Sequence, residues 1–387
     1  MPGLAEEAER VQAARRPELD GLRGLAALSV LVFHCWLYTM AVPDAGRHVS
    51  GIPFVYSNLR LGLVLFFVLS GFLLYGPWVR AALEQRSAPR LASYFKRRAL
   101  RVLPAYYLAL IGAIVLLWPH DGSTGVRLPE SGDLWTFFAL VPNYFEGPLM
   151  SLNPPVWTLI VEISFYAVLP LLGWIALRLR PDRFSQAMFP LALLVGGIAF
   201  NAWLTDHRAE APIQLGKLLP AMLPYFAIGM LAAVLAHGRR PSRRAGWLLI
   251  GGGALVVYAN VRWKLYAVGT KDVVILRDAI AAAGFAAIVV GCAAPQLRRV
   301  IGSRPLAALG SISYAVYLWH VPLLLWLRAE DLLPSSTLGA LLVVLPPTLA
   351  ISAASWLLVE RPAIALGRRG RDKSVQRTLR PAAQTAR

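Results

Sequence analysis

Negative charge is what this sequence has least of. Its 387 residues hold 21 Asp and Glu against 39 Lys and Arg, and charged residues of both signs make up only 16% of the chain. Mean hydropathy is +0.55. So little charge excludes an ordinary soluble domain and points to a membrane protein. Cysteine is nearly absent too. Cys35 and Cys292 both fall in apolar runs, which excludes a disulfide framework and any cysteine metal-ligand spacing, so no metal centre is expected. Cys35 follows His34 but points about 100° away around a helix, so no Cys–His dyad is expected there. No small-x-small cleavage pattern follows the first apolar run, which is therefore expected to stay as a helix. The net charge of +18 leaves no separate basic domain, so nucleic acid is not an expected partner.

What is there is apolar sequence. Ten runs are long enough to cross a bilayer: 22–42, 61–79, 102–118, 155–177, 187–204, 218–236, 245–261, 279–294, 306–327 and 337–359. They predict an all-α polytopic membrane protein of about ten transmembrane helices. The stretch 134–141 is too short to cross and is expected at the interface. Pro220 and Pro224 are expected to bend the sixth run. With the N-terminus placed in the cytoplasm, most of the 39 Lys and Arg fall in inner segments, above all in 80–101 and after 361. That is the positive-inside bias of a chain with both termini cytoplasmic, and the expected location is the cytoplasmic membrane. The chain divides into a cytoplasmic tail (1–17), a membrane domain (18–362) and a basic tail expected to lack fixed structure (363–387). The longest outer loop, 119–153, is the natural acceptor-facing surface.

Polar residues inside the runs are few. Arg23 and His34 lie eleven residues apart, about three turns, so both project from one face of the first helix. Asp20 lies three residues before Arg23 and reaches it if the helix starts that early. Titratable groups at such positions face a bundle interior or a wet cavity and mark sites. The plainer reading makes Arg23 a positive-inside anchor and His34 an interhelical bond. Arg97, Arg98 and Arg101 cluster where the third run enters the membrane. They are anchors, or a phosphate site, because guanidinium forks pair with phosphate oxygens. Glu162 is the one acid well inside any run, and an intramembrane carboxylate requires a partner. Ser313, Tyr317 and His320 form one stripe on the ninth run, at i, i+4 and i+7, either bonding a neighbouring helix or facing a ligand.

At about 1.5 Å per residue, His34, Glu162 and His320 fall in one slab of the bilayer, while Arg23, Arg98 and Arg101 stay at the inner mouth. A carboxylate beside an imidazole fixes its tautomer and favours its protonated form, so Glu162 is expected to partner His34. A basic mouth above a buried site suits a polyanionic substrate entering from the cytoplasm. Acyl-CoA fits, with its phosphates on the arginines and its arm reaching inward.

Five motifs then carry a resemblance. Asp20-Gly21-Leu22-Arg23-Gly24 with His34 resembles the Arg-x10-His signature of acyltransferase family 3, the membrane O-acyltransferases that modify polysaccharides, lipids and antibiotics. Phe66-Phe67-Val68-Leu69-Ser70-Gly71-Phe72 resembles the family's second-helix motif. Arg98-x-x-Arg101 followed by Pro104 resembles its Arg-x-x-Arg motif. Trp157-Thr158-Leu159-Ile160-Val161-Glu162 with Phe165-Tyr166 is similar to its Trp-Ser-Leu-x-x-Glu-x-x-Phe-Tyr pattern, with Thr158 where Ser is usual. Ser313-Tyr314-x-x-Tyr317-x-x-His320 resembles its late-helix motif. Five motifs in order over residues 20–320 make the resemblance specific, and ten helices agree with the family architecture.

The resemblance implies transfer of an acyl group, acetyl by preference, from acyl-CoA to a hydroxyl of a carbohydrate, glycolipid or small natural product. It implies no tightly bound cofactor, acetyl-CoA being a co-substrate. His34 would be the catalytic base or acyl relay, with Arg23 in the same motif. Arg98 and Arg101, with Arg97 beside them, would handle the donor. The depth argument adds Glu162 to the catalytic set. Asp20, Trp157, Ser313, Tyr317 and His320 are expected in the substrate pocket. The soluble esterase-like domain that some members carry has no counterpart in the sequence, so transfer is expected in the membrane domain alone or with a partner protein. The rival reading is a transporter or flippase using Arg23, His34 and Glu162 as a proton relay. No inverted repeat supports it, and the polar residues cluster in the first four runs and the ninth.

Overall fold

The computed structural model describes residues 16–40, 52–207, 210–266 and 271–367, and these contain no strand. The expected tails fall largely outside the described residues, as does the end of the first run at Val42. Nine described helices are long and apolar enough to cross a membrane. A tenth arises if a broken pair, Asp278–Gly291 and Pro295–Ile301, counts as one span; its halves meet at 107°. The all-α polytopic expectation therefore holds.

In chain order the elements are α1 (Pro17–Thr39), α2 (Ile52–Asn58), α3 (Gly62–Leu83), α4 (Leu91–Leu117), the short α5 (Trp135–Phe138), α6 (Val156–Ala176), α7 (Arg183–Asp206), α8 (Leu219–Ala236), α9 (Arg243–Tyr266), α10 (Lys271–Gly291), α11 (Pro295–Ile301), α12 (Arg304–Ala329) and α13 (Thr337–Ser355). A 3-10 turn, Leu59–Leu61, joins α2 to α3, and a π turn, Trp356–Glu360, continues α13 towards Gly367.

Several helices begin or end in polar turns beyond their apolar runs. α1 begins at Pro17, not 22, with Pro at its first position and Glu18 and Asp20 in its first turn, where the missing N–H costs nothing and the dipole favours acids. α4 begins at Leu91, so Arg97, Arg98 and Arg101 all sit within helix. Hydropathy marks only the part of a helix that lies in hydrocarbon, and the polar turns beyond it are invisible to that signal. Pro220 falls in the first turn of α8, where it breaks no hydrogen bond. The stretch 134–141 contains only the four-residue α5, as its length requires.

The centre of the bundle is a close parallel pair, α1 and α12. Their glycines set the spacing. A Cβ added at Gly310 would lie 1.9 Å from the Asp20 carbonyl oxygen, and one at Gly24 would lie 2.9 Å from the Gly310 nitrogen. Small residues of this kind let backbones touch in a membrane. Gly310→Val should therefore push α1 from α12, at a cost of about 1–3 kcal/mol or more. The expected result is a lower melting temperature in detergent and less protein in the membrane; unchanged values would show that the pair is not close.

Prolines inside the spans position two further contacts. Pro322 has no N–H to give the Leu318 carbonyl, and Asn153 Nδ2 donates to that carbonyl at 2.9 Å. Pro170 likewise frees the Tyr166 carbonyl, which accepts from Tyr94 Oη at 3.1 Å. Asn153 thus ties the long loop to α12, and Asn143 Nδ2 ties it to the Trp157 carbonyl at 2.7 Å.

Candidate active site

The starts of α1, α4 and α12, the end of α3, the α8–α9 connection and α11 surround one large vestibule of about 1670 Å³. The first and third spans contribute Arg23 and Arg101. Arg80, Arg239, Arg240, Arg298, Arg299 and Arg304 line the same space from four other places in the chain. By sequence alone these last six are topology signals; their convergence is visible only once the helices are placed. Acids are outnumbered there: Glu18, Asp20 and Glu84 line the vestibule, and Glu18 is bound to Arg298 Nε at 3.2 Å.

The vestibule narrows onto Arg23 and Arg101, which also line a second cavity of about 60 Å³. Leu63, Phe66, Ser70, Glu162, Tyr166 and Tyr317 are among its walls. This chamber has room for a few water molecules. Glu162 is held in its wall. Its Oε1 accepts from Ser70 Oγ at 2.6 Å and from Tyr166 Oη at 2.5 Å, both charge-assisted bonds. Arg101, Glu162 and Asp20 are the charges that act on Arg23. In the chamber wall two cations stand against one carboxylate, and the further arginines of the vestibule make its mouth attractive to an anion.

Tyr317 closes the far side. Its hydroxyl donates to the Pro155 carbonyl at 2.7 Å and is hydrogen-bonded to Thr158 Oγ1. Its ring packs on Phe66 and, at 5.7 Å between centroids, on His320. His320 is buried, and its Nε2 lies 3.0 Å from Nδ1 of His34. Tyr38, one turn beyond, stacks on His34. Arg23, Arg101, Glu162 and Tyr317 share the chamber wall, and His320 and His34, which line neither cavity, follow behind Tyr317 as successive neighbours. Along α1, Arg23 and His34 stand about 16 Å apart.

Several expected placements need correction. Glu162 is not the partner of His34: its carboxylate bonds Ser70 and Tyr166, while the polar partners of the His34 ring are the Val30 carbonyl and His320. Similar depth puts the two residues in one slab, but Glu162 bonds α3 and its own helix, and the residue of α1 whose charge it meets is Arg23, three turns from His34. Nor is Glu162 the only buried acid. Asp278 forms a paired contact with Arg60, both bonds at 2.9 Å. Glu360, 2% exposed in the π turn, is influenced by Arg101. The apolar run ended one residue short of it.

Of the three arginines of α4, only Arg101 lines the cavities. Arg98 lies over the Tyr166 ring at 5.8 Å, and Arg97 is on the exposed face. One helix cannot aim residues at successive positions into the same space. Trp157 lines neither cavity; its ring carries the Lys217 ammonium at 4.1 Å, at the loop end of α6. Ser313 does line the chamber, Asp20 the vestibule. Among the described residues no group of three or more His, Cys, Asp or Glu could hold a metal.

A family model for the acyltransferase domain matches residues 16–357. The chain belongs to this family, acyltransferase family 3. It is a multi-pass membrane O-acyltransferase. The acyltransferase match takes in Arg23, Arg101, Glu162, Tyr317, His320 and His34. Nodulation protein 10 of Rhizobium leguminosarum bv. viciae is 26% identical over 92% of this chain and 95% of its own length. A putative membrane-bound transacylase, BcsY of Komagataeibacter xylinus, is 27% identical over 90% of this chain and 82% of its own. The O-acetyltransferase OatA of Staphylococcus aureus is 20% identical over 89% of this chain, which spans 57% of that longer protein. No solved structure matches the chain.

Proposed function

We propose that this acyltransferase moves an acyl group, acetyl by preference, from cytoplasmic acyl-CoA to a hydroxyl of a carbohydrate, glycolipid or small natural product at the cytoplasmic membrane. The observation that carries the reading is the arginine vestibule that shares Arg23 and Arg101 with the inner chamber, whose wall residue Tyr317 packs on His320, the neighbour of His34. Its basic end is cytoplasmic by the positive-inside rule, which also places both termini there. The name of the OatA relative supports acetyl and a hydroxyl oxygen.

The chemistry follows from the order of residues from the vestibule to His34. Vestibule arginines hold the phosphates of the donor, and forked guanidiniums suit phosphate oxygens best. The acyl-bearing arm extends past Arg23 and Glu162. Tyr317, which closes the far side of the chamber, must shift to admit it. His34, at the end of the path, takes the proton of the acceptor hydroxyl as the oxygen attacks the thioester carbon. The C–S bond breaks, and the leaving thiolate takes that proton from His34. The ester and free CoA are the products, and His34 is restored.

Arg101 gives the donor test. Arg101→Ala should raise KM for acetyl-CoA by about tenfold or more, since a charge-assisted contact contributes about 1.5–3 kcal/mol. Arg101→Lys should recover only part of the loss, because an ammonium offers no planar fork. Steady-state acetylation by purified enzyme in liposomes measures both. An unchanged KM, with the protein correctly inserted, contradicts donor binding at this mouth.

A further inference from the structure

We infer that His320 fixes the tautomer of His34 and so prepares the His34 Nε2 lone pair as the base; the inference rests on the proposed base role of His34. His320 Nδ1 lies 3.0 Å from the Val316 carbonyl, which can only accept, so Nδ1 carries the proton. In a neutral ring its Nε2 then holds a lone pair. His34 Nδ1 lies 2.9 Å from the Val30 carbonyl, so it too carries its proton. That same N–H lies 3.0 Å from His320 Nε2 and is shared between the carbonyl and the imidazole. The arrangement satisfies every donor with an acceptor, and it leaves one ring nitrogen uncommitted: Nε2 of His34.

The reverse tautomer of His34 would place two lone pairs, on Nδ1 and on the Val30 oxygen, against each other, with a third on His320. It is disfavoured by the same geometry. His320 thus takes the position that a carboxylate takes in a catalytic triad, orienting the base and accepting from its far nitrogen, but as a neutral ring. A neutral partner costs little to bury in the bundle, whereas a carboxylate there would require its own cation. When Nε2 takes the acceptor's proton, His34 becomes a cation, and its Nδ1–H bond to His320 strengthens as a charge-assisted bond. The proton then leaves from Nε2 to the thiolate. His320 keeps its own proton throughout and is a positioning residue, not a proton donor.

The register of the parallel pair makes this possible. Gly24 and Gly310 draw α1 and α12 together near the vestibule, and the same register brings His34 beside His320, with ring centroids 4.9 Å apart. Packing alone would be served by any apolar residue at 320. A side chain with an acceptor at 320 adds a second acceptor to the Val30 carbonyl in holding the His34 proton on Nδ1.

Two measurements test this. The first is ¹⁵N NMR of histidine-labelled enzyme in bilayers, with the His34 signals identified by their loss in His34→Ala. His34 is expected to show a protonated Nδ1 and a bare Nε2. A protonated Nε2 with a bare Nδ1 overturns the inference, whether or not His34 proves to be the base. The second compares His320→Leu with His320→Gln, whose amide oxygen can still accept. His320→Leu should lower kcat by about 10²-fold with KM for acetyl-CoA unchanged. His320→Gln should recover at least tenfold of that loss. Equal losses in the two variants, or a loss confined to KM, would show a packing role. If His34→Ala retains its turnover while the NMR shows the expected tautomer, the base assignment fails and the tautomer assignment stands.

Discussion

Purified His34→Ala enzyme should lose about 10²–10⁴ of its acyl-transfer rate, the usual contribution of a positioned base. KM for acyl-CoA should hardly change, because the donor's phosphates bind about 16 Å away, at the level of Arg23. Folding should survive. The His34 ring is half-buried, and its loss removes hydrogen bonds to Val30 and His320, each with a net contribution of about 1 kcal/mol. The checks are kcat in liposomes together with the amount of monodisperse protein recovered from membranes. Near-normal kcat would remove His34 from the chemistry. A protein that fails to accumulate would instead mark His34 as a residue of assembly.

The second large effect is expected at Glu162, and it concerns Arg23. Glu162→Gln keeps the shape of a side chain bonded by Ser70 and Tyr166 but removes the only negative charge in the chamber wall. Arg23 then faces Arg101 with Asp20 as its remaining counter-charge. Removing one member of a buried charge set costs about 3–5 kcal/mol, and the half-open vestibule places this case at the lower end of that range. The melting temperature should fall, and donor-dependent turnover with it. Adding Arg23→Gln should restore much of the melting temperature, because the double variant no longer holds two neighbouring cations with part of their counter-charge removed. Glu162→Gln with His34→Ala should show additive losses in stability, since the two residues share no contact. Strong coupling of Glu162 to His34, with none to Arg23, would contradict the arrangement described here.

Much of this fold could be read from the sequence, because hydropathy and the distribution of Lys and Arg are properties of single segments. The ten apolar runs match nine helices and one broken pair. What hydropathy could not show was where helices continue past hydrocarbon: the first turn of α1, the first three turns of α4 and the π turn that carries Glu360. The site was legible as a set of residue types but not as pairings. Depth along a helix follows from residue count, so His34 and His320 were placed at similar levels, and they do meet. Rotation about a helix axis against a distant neighbour does not follow from residue count. That is why Glu162 was assigned to His34 when it belongs with Ser70, Tyr166 and Arg23. The same limit hid the vestibule. Arg80, Arg240 and Arg299 are far apart in sequence, and each loop by itself reads as an anchor.

The central claim is a single path from the arginine vestibule to His34, and a structure with a bound donor tests it most directly. The enzyme should be imaged by cryo-electron microscopy with a thioether analogue of acetyl-CoA, which binds but cannot transfer its acyl group. The account predicts the nucleotide phosphates against Arg101 and the vestibule arginines, Tyr317 moved from its bond to the Pro155 carbonyl, and the acyl carbon beside Nε2 of His34. A nucleotide bound at the opposite end of the bundle, or an acyl group that stops short of Tyr317 with the acceptor site elsewhere, would contradict it.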